Sequence, residues 1–137
     1  MTLDLLSESG PAWTRAAPAS PEALAGLRAA FPRLPADYLS LLAQTNGGEG
    51  ELGVQPGWFQ LWPADTGAAH NDDYLVGSAL PGWVGIGSNG GGELLALAPD
   101  GRVFMVPFTP MEPREAVYVA ASVAAFAARF GHRADVA

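Results

Sequence analysis

The sequence predicts an α+β domain made of two helices, a run of antiparallel strands and a closing helix. Three observations lead there. Apolar residues recur at helical spacing near the two ends, at Leu24, Leu27 and Phe31, at Tyr38, Leu41 and Leu42, and at Val119, Val123, Phe126 and Phe130. The middle of the chain holds short β-like runs punctuated by turn dipeptides. The connections between those runs are short, which favours hairpins over the strand–helix–strand units of a doubly wound sheet.

Residues 1–19 read as a partly ordered lead, residues 20–131 as the domain, and residues 132–137 as a short tail. In the lead, Leu3, Leu5 and Leu6 suit a turn packed onto the domain, while Gly10, Pro11 and Pro18 oppose a long element. Ser20-Pro21-Glu22 starts the first helix: Ser20 caps, Pro21 fits the first helical position, and Glu22 complements the positive helix end. Pro32 ends it. A second helix begins near Pro35 and stops at Asn46-Gly47-Gly48, residues that tolerate the left-handed conformation of a helix C-terminus. So short a link between the helices predicts a close pair.

Two short β-like runs follow, Leu52 with Val54 and Trp58 to Trp62, about the turn Pro56-Gly57. Residues 63–80 are polar and read as a short helix or an ordered loop. Trp83–Gly87 reads as a strand and Ser88–Gly92 as a turn. Glu93–Ala98 and Arg102–Phe108 form a hairpin about Pro99-Asp100-Gly101. A two-residue Asp-Gly loop would pair Leu97 with Phe104, and a type I turn with a bulge at Gly101 would pair Leu97 with Val103. Pro99 favours the second. Both faces of this hairpin are apolar, which suits a central, covered ribbon. Pro107, Pro110 and Pro113 break the chain, and a last helix over about Ala120–Arg129 ends at Gly131.

Composition bounds the function. A chain of 137 residues fits one domain able to bury about two-thirds of its unfolded surface without staples. With 49% hydrophobic and 15% charged residues it is too apolar for a disordered chain. Fourteen carboxylates against seven arginines and no lysine give a net charge of −7. That field repels phosphate backbones, so direct nucleic-acid binding is not expected and a basic partner is favoured. The absence of Cys removes disulfides, thiol nucleophiles and Cys-ligated metals. No secretory signal is visible in the first 18 residues. The longest uncharged stretch, Tyr74–Gly92, carries Pro81 and seven Gly, and Ala116–Ala128 is 13 residues, short of the roughly 20 that a bilayer needs. A cytoplasmic protein with no membrane partner is expected.

Several segments invite chemistry. Gly87–Gly92 resembles a phosphate loop in composition, but a strand follows it rather than a helix and no Lys is available, so a strand–strand turn is the better reading. His70 lies near Asp65, Asp72 and Asp73, without the paired spacing of a metal site. Ser88 is one residue off a nucleophile-elbow pattern. No catalytic residue, metal or cofactor is therefore assigned. Asn46 is either a helix stop or a polar contact. Trp58 and Trp62, four apart, share one face of a strand, and one of them is expected to stay partly exposed beside the acidic loop. Carboxylates cluster in connections: Glu49 and Glu51, then Asp65, Asp72 and Asp73, then Glu93. If these loops share an edge they make an acidic face that steers a basic partner.

Leu34-Pro35-Ala36-Asp37-Tyr38, then Leu41-Leu42, then Asn46-Gly47-Gly48 together resemble the opening motif of the SUKH superfamily, which holds fungal cell-wall assembly regulators and bacterial immunity proteins. Ile86–Glu93 is similar to its glycine-rich turn and following strand, and Val106-Pro107-Phe108, Glu115-Ala116 and Val119–Phe126 to its closing segment. The likeness covers about Leu34–Phe130. The family's turn often carries Asp where this chain has Asn89. The resemblance implies a twisted antiparallel sheet with helices packed on it, no enzymatic activity, and binding of a toxin, often a nuclease, whose basic groove an acidic domain would plug. On that basis the candidate partner-binding residues are Glu49, Glu51, Trp58, Trp62, Asp65, Asp72, Asp73, Asn89 and Glu93. A regulatory scaffold, or a small-molecule binder using the Ser88–Glu93 turn with His70, are the rival readings.

Overall fold

A computed structural model describes residues 4–134. The fold is α+β: a seven-stranded, fully antiparallel sheet in simple sequence order with helices on both faces. The strands are β1 (Trp13–Arg15), β2 (Gly48–Glu51), β3 (Trp58–Leu61), β4 (Val84–Ser88), β5 (Glu93–Leu97), β6 (Val103–Pro107) and β7 (Val117–Ala120). The helices are α1 (Pro21–Ala30), α2 (Ala36–Gln44), α3 (Ala64–Asp73), α4 (Val76–Ala79) and α5 (Val123–Ala127).

Side chains alternate across a strand, so the register sorts residues onto two faces. On the first face Phe59, Leu61, Ile86, Leu95, Leu97, Val103 and Met105 meet Tyr38, Leu41 and Leu42 of α2 and Val123 and Phe126 of α5. Phe59 stacks on Phe130 at 4.0 Å between centroids, and Trp13 packs on Phe130 at 5.3 Å. Each large side chain buried here contributes about 1.5–3 kcal/mol. Asp37 ties the two covering helices together: its Oδ2 accepts from the Ala124 N–H at 3.1 Å, and Ser122 Oγ accepts from the Ala125 N–H at 3.0 Å. Two of the four open donors of α5 are thereby satisfied.

The second face carries Trp62, Leu94, Ala96 and Val106, covered by Val76 and Leu80 around α4. Asn71 of α3, buried, locks this layer to the bulge in β4: its Nδ2 donates to Gly67 O and Gly85 O, and its Oδ1 accepts from the Gly85 N–H, at 2.8–2.9 Å.

The first helix and the stop at Gly47 follow the sequence reading, with Ser20 Oγ accepting from the Ala23 N–H. The β5–β6 hairpin takes the bulged register, Leu97 opposite Val103, with Gly101 at φ +90°. Residues 63–80, read as short helix or loop, hold α3 and α4. Three expectations are corrected. The closing helix starts at Val123, because Val117–Ala120 pairs with β6 as β7 and Ser122 is the cap. The strand expected at Leu52 and Val54 lies earlier, at Gly48–Glu51, and Leu52 makes only an isolated bridge to Phe130. The close helix pair is not formed as such: α1 packs chiefly on α3, where Leu27 lies against Gly67, and α2 packs on α5. From the lead, Trp13–Arg15 joins the sheet as β1, and Leu5 and Leu6 are buried against the core. Leu3 and residues 135–137 lie outside the described residues.

Candidate functional site

The helices α3 and α4 cover the second face only over its middle strands. Toward β1 the face is open, and the register brings Thr14, Glu49, Gln60 and Ser88 into one row across four strands, with Glu51 opposite Trp58 beside it. Gln60 organises the row: its Nε2 donates to Glu49 Oε2 at 3.2 Å, and its Oε1 accepts from the Ser88 hydroxyl at 3.3 Å. Trp58 is 40% exposed at the rim. The β4–β5 turn leans on it, since a Cβ at Gly90 would lie 3.3 Å from Trp58 Cδ1. Asn89 shapes that turn, with Oδ1 accepting from the N–H groups of Gly91 and Glu93 and Nδ2 donating to Glu93 Oε1 at 3.1 Å. An aspartate at this position has no proton to give Glu93.

On the other side of the turn, the Phe108 N–H donates to Gly92 O, and the Phe108 ring meets Tyr74 at 4.7 Å. Tyr74 stacks in turn on Trp62 at 5.9 Å, and His70 on Trp62 at 4.5 Å. A chain of contacts therefore runs from Trp58 through the glycine turn to the end of α3, where Asp72 and Asp73 are exposed. Among the described residues, Glu49, Asp65, Asp72, Asp73 and Glu93 form no ion pair, and Glu51 reaches Arg133 only at 3.8 Å.

Of the residues singled out from sequence, Glu49, Glu51 and Trp58 gather on this face and Asn89 in its bordering turn, while Glu93, bonded to Asn89, starts β5 on the side of Leu95 and Leu97. Trp62 is 8% exposed and covered by His70 and Tyr74, unlike the exposed Trp58. Asp65 sits at the opposite end of α3 from Asp72 and Asp73, where it complements the helix dipole and accepts from Asn46 Nδ2. Asn46 is more than a helix stop: its Oδ1 accepts from the Ala64 N–H at 2.6 Å and caps α3 from a distance. Sequence reasoning missed Gln60, Tyr74 and Leu75. Gln60 was legible as the polar member between Trp58 and Trp62, whereas Leu75 carries no local signal.

Ser88 and His70 are engaged separately, the first with Gln60 and the second with Trp62, and no hydrogen bond joins them. Neither lines the half-open groove of about 540 Å³ between Phe31–Pro35, Gly82–Val84 and Leu97–Gly101. Among the described residues no group of three or more His, Cys, Asp or Glu is placed to hold a metal ion, and no helix is long and apolar enough to cross a membrane.

The fold and its open face define an α+β domain whose exposed chemistry lies on a sheet surface rather than in a cleft. The sequence matches the profile of the SMI1 / KNR4 family (SUKH-1) over residues 18–129, and the chain belongs to that family. The family includes immunity proteins and SMI1/KNR4 regulators and is generally non-catalytic. No curated protein matches the chain.

Proposed function

We propose that this chain is a non-enzymatic protein-binding domain, an immunity protein that neutralises a toxin through the open acidic face. The observation that carries the reading is an open sheet face on which Glu49, free of any ion pair among the described residues, and Glu51, paired only loosely with Arg133, stand beside an exposed tryptophan. Glu49, Glu51 and Glu93, with Asp72 and Asp73 beyond the turn, attract a basic protein and disfavour nucleic acid. Trp58 supplies a large contact area next to the β4–β5 turn. A nuclease toxin fits the sign, since its substrate groove must be basic. The cysteine-free composition suits action in the cytoplasm.

The test is to look for a toxin gene adjacent to this one and to co-express the pair; the absence of such a gene counts against the reading. Rescue of growth, with a stable complex from the two purified proteins, supports the reading. No rescue, together with several partners of modest affinity, would move the protein to the regulatory scaffolds of the family.

A further inference from the structure

We infer that the corner between α3 and α4, Asp72-Asp73-Tyr74-Leu75, is the anchor of the partner interface and inserts into an apolar socket ringed by basic residues. The inference rests on the immunity reading and adds the place and chemistry of the contact. Three features of this corner run against what the fold alone would select: the left-handed backbone at Leu75, the exposure of that leucine, and the carboxylates at the end of α3.

Leu75 has φ +57° and ψ +38°, the one described residue other than glycine in the left-handed region. That conformation strains any residue with a Cβ and is normally given to Gly or Asn. Leu75 is nevertheless a leucine, and at 66% exposure it gains little burial in return. Tyr74 beside it is 46% exposed. Asp72 and Asp73 stand in the last turn of α3, at the negative end of the helix, where carboxylates are disfavoured, and among the described residues no basic group pairs with them.

The corner is also rigid. The Leu75 N–H donates to Asp72 O, the N–H groups of Ser78 and Ala79 donate to Leu75 O, and the Tyr74 ring is held against Trp62 and Phe108. A strained, preformed apolar tip flanked by uncompensated negative charge matches the anatomy of an interface hot spot for a positively charged partner. Local choices that cost stability without a gain in packing mark functional positions.

The experiment pairs stability with binding, using the neighbouring toxin domain in an inactivated form. Leu75→Gly relieves the left-handed strain, and Asp72→Asn with Asp73→Asn relieves the clash with the helix dipole. Both variants are expected to melt at the wild-type temperature or up to about 4 °C above it. Leu75→Gly is expected to weaken the complex by about 30-fold or more through faster dissociation. The double Asn variant is expected to slow association several-fold and flatten its salt dependence. A melting temperature lowered by more than about 4 °C in Leu75→Gly would show that the leucine serves packing, and unchanged affinity in both variants would overturn the inference while leaving the immunity reading intact. A wild-type chain that fails to bind the toxin domain sinks the immunity reading, and this inference with it.

Discussion

The two faces of one sheet obey different rules. The first is closed by α2 and α5, and its aromatic residues Phe59, Phe126 and Phe130 are all fully buried and in mutual ring contact. The second is closed only over its middle strands, and its open part holds polar side chains bonded to one another and an exposed tryptophan. The same alternation along β3 sends Phe59 and Leu61 inward and Trp58 and Gln60 outward. Stability is therefore concentrated on one side of the strand, which leaves the other side free to be chosen for binding.

Substitutions on the closed face test the first half of that contrast and carry the largest expected effect. Phe59→Ala empties the centre of the aromatic cluster and should cost about 3–5 kcal/mol in denaturant unfolding. Binding by the fraction that stays folded should persist. A loss below about 1 kcal/mol would mean that the closed face is not the stabilising one.

The lid of the second face comes next. Asn71→Ala leaves the N–H and C=O of Gly85 without their buried partners, at an expected cost of about 2–4 kcal/mol. Hydrogen exchange should quicken in α3 and β4 before it does in β5–β6. Uniform quickening across the sheet would show that α3 does not behave as a separate lid.

Tyr38 offers a titration of the closed face. Burial pushes its phenol well above the usual range, so its neutral form is the one that folds. Below about pH 10 the phenol is neutral in both states and stability is unaffected; above it the unfolded chain ionises first, and stability should fall by up to about 1.4 kcal/mol per pH unit. The chain has no lysine to titrate in the same window. Denaturation curves between pH 8 and 11 should show this limb in the wild type and lose it in Tyr38→Phe. A limb that persists in Tyr38→Phe would assign it elsewhere.

How much of this was legible in the sequence depended on whether the signal was local. Ser20, Pro21 and Gly101 act within their own turn, and the first helix and the hairpin register could be read from them. β2 could not. Its sequence, Gly-Glu-Gly-Glu, is poor in strand formers, and Gly50 is there because Trp13 of a remote strand lies over it, 2.3 Å from where a Cβ would stand. The roles of Asn46, Asn71 and Asp37 carried no local signal because their partners lie 18, 14 and 87 residues away. The candidate face was half legible: alternation put Trp58 and Trp62 on one side, but only the packing of His70 and Tyr74 decides that Trp62 is covered and Trp58 is not.

Trp58 is where the contrast between faces becomes sharpest, because it should show the smallest stability effect and a large functional one. Its neighbour Phe59 is enclosed by rings, whereas Trp58 touches the glycine turn on one side and solvent on the other. Truncation to Ala removes some contact with Gly90 but opens no cavity, so unfolding free energy should change by less than about 1 kcal/mol. The Glu49–Gln60–Ser88 row does not depend on the indole and should stay formed. If the open face is the binding face, the same substitution should weaken the toxin complex about 10-fold or more, measured by calorimetry on the purified pair. A variant that loses several kcal/mol of stability would place Trp58 with Phe59 as core. One that binds unchanged would shift the interface away from the sheet and leave its exposed side without a demonstrated role.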